Sequence, residues 1–211
     1  MPLICHDSDA PSSNRRCFIG TDNFGAGKTV GKLVKEVLPD GGKIMIFVGR
    51  LDAPSGSQRV EGVRAELEGS NIEIVDVRTD LVDTARAKQN AEDAIAKHPD
   101  LKCMVGIWAY NAPAILSAVR GAGKLGEIAI VSFDEDADTL QGITDGEVFA
   151  TVVQDPFQFG YQSVKMLTAI ARGEDAGIPE DKIKHIPERV IKQDNVAEFW
   201  EELKRQQSDE G

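Results

Sequence analysis

Along most of the chain, short runs rich in apolar residues alternate with longer stretches in which apolar positions recur every three to four residues. The segment 43–48, Lys-Ile-Met-Ile-Phe-Val, is almost continuously apolar, as a strand covered on both faces of a sheet would be. Before it, 25–38 puts Val30, Leu33, Val34 and Val37 on one helical face and stops at Pro39-Asp40-Gly41-Gly42. The same alternation predicts strands at 2–6, 16–19, 72–77, 101–107, 128–133, 149–153 and 186–192. It predicts helices at 58–67, 83–97, 112–122, 136–145, 156–172 and 196–205. Repeated βα units with two-sided apolar strands define an α/β fold, a doubly wound parallel sheet. In such a sheet ligands bind at the carboxyl ends of the strands.

Several predicted strands end in groups suited to a hydroxylated ligand. The first runs into Asp7, and the segment after Val48 leads to Arg59. The strand through Ile107 opens onto Trp108-Ala109-Tyr110-Asn111, the one through Phe133 onto Asp134, and the one through Val153 onto Gln154. Carboxylates accept from hydroxyls, arginine donates in a planar fork, and asparagine and glutamine do both. Trp108 and Tyr110 are candidate stacking faces for the apolar side of a sugar ring. Two motifs suggest other chemistry and fall short of it. Gly25-Ala26-Gly27-Lys28-Thr29 ends like a phosphate-binding loop, but Asp22 stands where that loop needs its first glycine. These glycines read instead as close helix packing. Asp134-Glu135-Asp136 reads as a helix start favoured by the dipole rather than as a metal site.

Composition narrows the picture. The 211 residues carry a formal net charge of −11, a poor match for nucleic acid or anionic lipid. No apolar run is long enough to cross a bilayer, and the first residues show no export signal. Cys5, Cys17 and Cys103 form no CxxC pair and no metal cluster with the scattered histidines, so neither a metal nor a cofactor is expected. Cys5 and Cys103 read as buried, inert thiols, and a Cys5–Cys17 bridge stays open. No nucleophile–base pair is visible, which argues against an enzyme.

Taken in order, seven segments carry a family resemblance. They are Pro2-Leu3-Ile4-Cys5-His6-Asp7-Ser8, Ile19-Gly20-Thr21-Asp22-Asn23 with Ala26-Gly27, Ser57-Gln58-Arg59-Val60-Glu61-Gly62, Ala96-Lys97-His98-Pro99-Asp100, Trp108-Ala109-Tyr110-Asn111, Ile130-Val131-Ser132-Phe133-Asp134 and Ala150-Thr151-Val152-Val153-Gln154-Asp155-Pro156. Together they resemble the type I periplasmic sugar-binding proteins, the ribose/xylose-type receptors of ABC transporters. The resemblance implies two α/β lobes around a hinge, a monosaccharide ligand, a membrane permease as partner, and a periplasmic or extracellular location. It assigns ligand binding to Asp7, Arg59, Asn111, Asp134 and Gln154. Sugar-responsive transcription regulators of the LacI type share the fold, and an effector-sensing domain is the alternative. Ser8 stands where ribose-type members often have arginine, and only Val82 lies near the position of their loop aromatic, so ribose is not singled out. Several βα units that precede the first strand in the family have no counterpart here. One complete lobe is therefore expected at 22–154 with 187–211. A remnant of the other is expected at 1–21 with 155–186, where the uncovered face of the helix 156–172 would drive self-association.

Overall fold

The computed structural model describes residues 1–208, in two compact units. One comprises Met1–Asn23 and Gln154–Arg189, the other Phe24–Val153 and the described residues from Val190 on.

The smaller unit has three short parallel strands in the order β1 (Ile4–His6), β2 (Cys17–Gly20) and β8 (Ile183–His185). The helix α6 (Pro156–Arg172) lies against them, with Phe159 and Met166 buried on Cys17 and Ile19. Asp155 caps α6 by accepting from the Gln158 N–H, proline occupies its first turn, and the left-handed Gly173 closes it. The register sets Cys5 opposite Phe18 and Cys17 opposite Ile4, so the two thiols point to opposite faces of the sheet and stay free. Cys5 is only half-buried, against the expectation of a buried thiol, because β1 is an edge strand. Cys103 is fully buried, and desolvation pushes its thiol up to about 12.

The larger unit holds six strands: β4 (Ile72–Thr79), β3 (Gly42–Val48), β5 (Leu101–Gly106), β6 (Ala129–Phe133), β7 (Ala150–Val153) and β9 (Arg189–Ile191), in that order. The pairs from β4 through β7 are parallel. Strand alternation sorts the apolar residues into two cores. Ile44, Ile46, Val48, Cys103, Val105 and Phe133 face the helices α1 (Asn23–Val37) and α2 (Pro54–Leu67). Met45, Phe47, Met104 and Ile130 face α3 (Thr84–Lys97), α4 (Asn111–Gly121), α5 (Ala137–Thr144) and α7 (Val196–Ser208). A sheet buried on both faces explains the continuous apolar strands of the sequence.

Three elements depart from the periodicity. The helix expected at 58–67 begins at Pro54, because Pro-Ser-Gly-Ser forms its first turn rather than a loop. β4 runs to Thr79, two residues beyond the apolar pattern. Of the strand expected at 186–192 only β9 (Arg189–Ile191) forms, after Pro187, which has no N–H to continue a ladder, and β8 is a separate strand ahead of it in the other sheet.

Candidate functional site

From β3 the chain crosses to β4 on one side and later to β5 on the other, so the crossovers diverge at the carboxyl ends of β3 and β5. That is where an open α/β sheet forms a crevice. Two side-chain clusters stand at these ends.

The first is built on Arg59, whose helix α2 crosses α1 very closely. A Cβ on Gly27 would lie 2.2 Å from the Arg59 carbonyl oxygen, and one on Gly62 would lie 2.2 Å from that of Phe24. Gly27, in the stretch that imitates a phosphate loop, thus sets the helix carrying Arg59 together with Gly62. The guanidinium is 3% exposed, stacks 4.4 Å from the centre of the Phe133 ring and donates to the Ile107 carbonyl at 3.1 Å. It pairs with the Asp134 carboxylate at 3.8 Å. Asp134 follows β6 in a left-handed conformation, φ +68°. Its N–H donates to the Val152 carbonyl, and its own carbonyl accepts from the Thr151 hydroxyl. Two residues on, Asp136 caps α5 by accepting from the Asp138 N–H.

The second cluster follows β4 and β5. The Trp108 ring lies against Gly49, where an added Cβ would come 2.0 Å from a ring atom. Trp108 and Tyr110 meet edge to face, 6.4 Å between centroids, and both are half-buried. Asn111 is wholly buried; its Oδ1 accepts from the Trp108 N–H and its Nδ2 donates to Asp80. Asp80, 1% exposed, also accepts from the Tyr110 hydroxyl, and burial and this neighbour hold the Tyr110 phenol well above its ordinary range.

The remaining two residues belong to the smaller unit. Asp7 is exposed one residue past β1, left-handed at φ +62°, with its N–H bonded to the Ile19 carbonyl. Gln154 directly follows β7, and its Oε1 accepts from the Thr21 hydroxyl at 3.1 Å. The structure therefore joins Arg59 to Asp134, joins Trp108, Tyr110 and Asn111 around Asp80, and pairs Gln154 with Thr21. The strand-end reading omits Asp80, Thr151 and Thr21. For Asp80 a signal exists, since Asp80-Leu81-Val82-Asp83 leads into α3 with Asp83 as its cap.

Charged and amide groups alternate with aromatic faces, and Arg59, Asn111 and Tyr110 are each fixed by neighbouring protein groups. Comparison with known proteins finds sugar-binding relatives. The ribose import binding protein of Haemophilus influenzae is 26% identical over 183 residues, 86% of this chain and 62% of that protein. This chain thus spans less than two thirds of that curated relative's length. GanP, a glucose-galactose binding protein from Geobacillus stearothermophilus, matches with a TM-score of 0.86 at 29% identity, covering 92% of this chain and 69% of that one. An ABC transporter solute binding protein from Burkholderia graminis, solved in complex with D-arabinose, matches with a TM-score of 0.86 at 29% identity, covering 93% and 68%. Residues 1–175 match the periplasmic binding protein domain, and the chain belongs to that family.

Proposed function

We propose that this chain binds a small sugar as the solute receptor of an ABC-type uptake system and performs no chemistry on it. The observation that carries this is the Arg59–Asp134 pair at the carboxyl ends of the larger sheet, backed by Phe133 and followed along the same edge by the half-buried Trp108 and Tyr110. A buried guanidinium beside a carboxylate offers donors and acceptors together, which a polyol needs, and the aromatic faces suit the C–H side of a sugar ring. The relatives named for ribose, glucose-galactose and arabinose support a pentose or hexose as ligand. On this reading Arg59, Asn111 and Asp134 of the larger unit and Asp7 and Gln154 of the smaller are ligand-binding residues, no cofactor takes part, and the transporter's permease is the membrane partner in the periplasm or at the outer surface. A second copy of the chain is a further partner. Phe157, Tyr161 and Val164 lie exposed on one face of α6, the first two stacked at 6.3 Å, and light scattering on the purified chain reads the resulting dimer.

The test is titration calorimetry of the chain against D-ribose, D-xylose, D-arabinose, D-glucose and D-galactose, with a thermal-shift series alongside. At least one sugar should give saturable heat and raise the melting temperature with concentration. Silence with all five rejects the receptor reading.

A further inference from the structure

We propose that Asp80 is the positioning residue of this site, holding Tyr110, Asn111 and the turn after β4 as one hydrogen-bonded unit, so that the Tyr110 oxygen meets a sugar only as an acceptor. The proposal rests on the receptor reading above and adds to it the direction of one hydrogen bond.

Asp80 is the first residue past β4, and its backbone is pinned at both ends. Its N–H donates to the Val48 carbonyl at 3.2 Å, and its carbonyl accepts from the Asp83 N–H at 3.2 Å. Its carboxylate gathers three neutral donors. Oδ1 accepts from the Tyr110 hydroxyl at 2.5 Å and the Val82 N–H at 2.9 Å, and Oδ2 accepts from Asn111 Nδ2 at 2.9 Å. Two consequences follow. Leu81 and Val82 are consecutive left-handed residues, φ +58° and +66°, a backbone that non-glycine residues adopt only where something holds it. The Val82 N–H to Asp80 and the Leu81 N–H to the Gly49 carbonyl are that hold. In addition, the Asn111 amide has only one satisfactory orientation, because reversing it would set donor against donor at Trp108 and acceptor against acceptor at Asp80.

The Tyr110 hydroxyl has one proton, and the structure commits it to Asp80. Only its oxygen lone pairs remain for a ligand, so the sugar hydroxyl that meets it must donate. A buried carboxylate is costly to desolvate, and its three donors offset that cost. What the carboxylate adds is a fixed geometry linking the turn after β4 to the start of α4.

Asp80→Asn keeps the size but sets an amide N–H against Asn111 Nδ2. In this chain the sugar dissociation constant should rise at least about tenfold, read by calorimetry well below the melting temperature. The chain has two tyrosines, Tyr110 and Tyr161. In a Tyr161→Phe background, phenolate absorbance follows Tyr110 alone, and Asp80→Asn should lower its titration midpoint by about one pH unit. Both changes together support the role. An unchanged affinity with a lowered melting temperature makes Asp80 purely structural and overturns it, as does an unchanged Tyr110 midpoint. If no sugar binds the unsubstituted chain, the receptor reading falls and this role falls with it. Should Asp80→Asn fail to fold, Tyr110→Phe decides: a rise of about threefold or more in the dissociation constant supports the role, and an unchanged value overturns it.

Discussion

Both units carry an aspartate one residue beyond a parallel strand, in the left-handed region, with its N–H bonded to a carbonyl of the next strand. Asp7 has φ +62° and bonds to Ile19; Asp134 has φ +68° and bonds to Val152. Their surroundings differ. Asp7 lies exposed at the end of an edge strand in a three-stranded sheet, with α6 as the helix packed on β1 and β2. Asp134 follows an interior strand of a six-stranded sheet, beside a buried guanidinium, with Thr151 holding its carbonyl. The neighbouring strand dictates the backbone of such a residue. The depth of the packing around it dictates what its carboxylate can do, because charge interactions strengthen as water is excluded.

That difference makes the largest expected effect a contrast in ligand affinity. Asn tolerates the left-handed region, so Asp→Asn removes charge without disturbing either turn. On the receptor reading, Asp134→Asn should weaken sugar binding by about 2–3 kcal/mol and Asp7→Asn by about 1 kcal/mol. Calorimetry on both variants checks the ranking; equal losses would show that the packing around Asp134 adds nothing to its hydrogen bonds.

A second contrast concerns helix contacts. In the larger unit, Gly27→Ala drives a methyl to 2.2 Å from the Arg59 carbonyl oxygen, a backbone atom that cannot swing aside. The helices must part, at a cost of about 2–3 kcal/mol, and Arg59 must shift with α2. Urea unfolding followed by tryptophan fluorescence should show that loss, and sugar affinity should fall with it. Retained affinity at lowered stability would separate the close crossing from the position of Arg59.

These contrasts also show what the sequence makes readable. The alternation of 43–48 and 101–107 appears directly as two cores, because each strand residue must face one helix layer or the other. Strand ends are readable where the apolar run stops at the true end, as at Phe133 before Asp134. Asp80 escapes this logic because Arg78 and Thr79 extend β4 beyond its apolar run, so the turn is displaced by two residues. β8 escapes because Ile183-Lys184-His185 offers one apolar residue in three, and its pairing with β2 depends on a contact distant in sequence. The glycine at 27 is visible in the sequence, but its purpose depends on Arg59 and Gly62, which only the folded chain brings near.

A third prediction separates strain from function in the two aspartates. A left-handed non-glycine residue is disfavoured by about 1–2 kcal/mol, less for Asp. Asp7→Gly should therefore stabilise the chain by at most about 1 kcal/mol, since glycine's freedom in the unfolded chain offsets part of the relief and an exposed carboxylate contributes little in return. Asp134→Gly relieves the same strain but leaves the buried Arg59 guanidinium without its carboxylate, so the net should be a loss of stability. Thermal unfolding compares the two. A larger gain at Asp134 would mean that its ion pair contributes nothing to stability.

The smallest expected effect lies in the smaller unit and is the counterpart of Gly27→Ala. Gly160 sits inside α6, and a Cβ built there meets no other atom within 4 Å. Neither a contact nor a positive φ requires glycine at this position. Alanine there keeps the helical backbone, adds no clash and restricts the unfolded chain, so Gly160→Ala should stabilise by about 0.5–1 kcal/mol. The same substitution on two helices of one chain should thus change stability in opposite directions. The sign depends on whether the glycine faces a helix packed backbone to backbone or open space beside Tyr161 and Val164. If a second copy of the chain covers the face carrying Phe157, Tyr161 and Val164, the added methyl of Gly160→Ala should also alter the monomer–dimer balance. Melting curves at several protein concentrations separate the two contributions: a gain independent of concentration is helix propensity alone, and a gain that vanishes or reverses at high concentration places Gly160 inside the self-association surface.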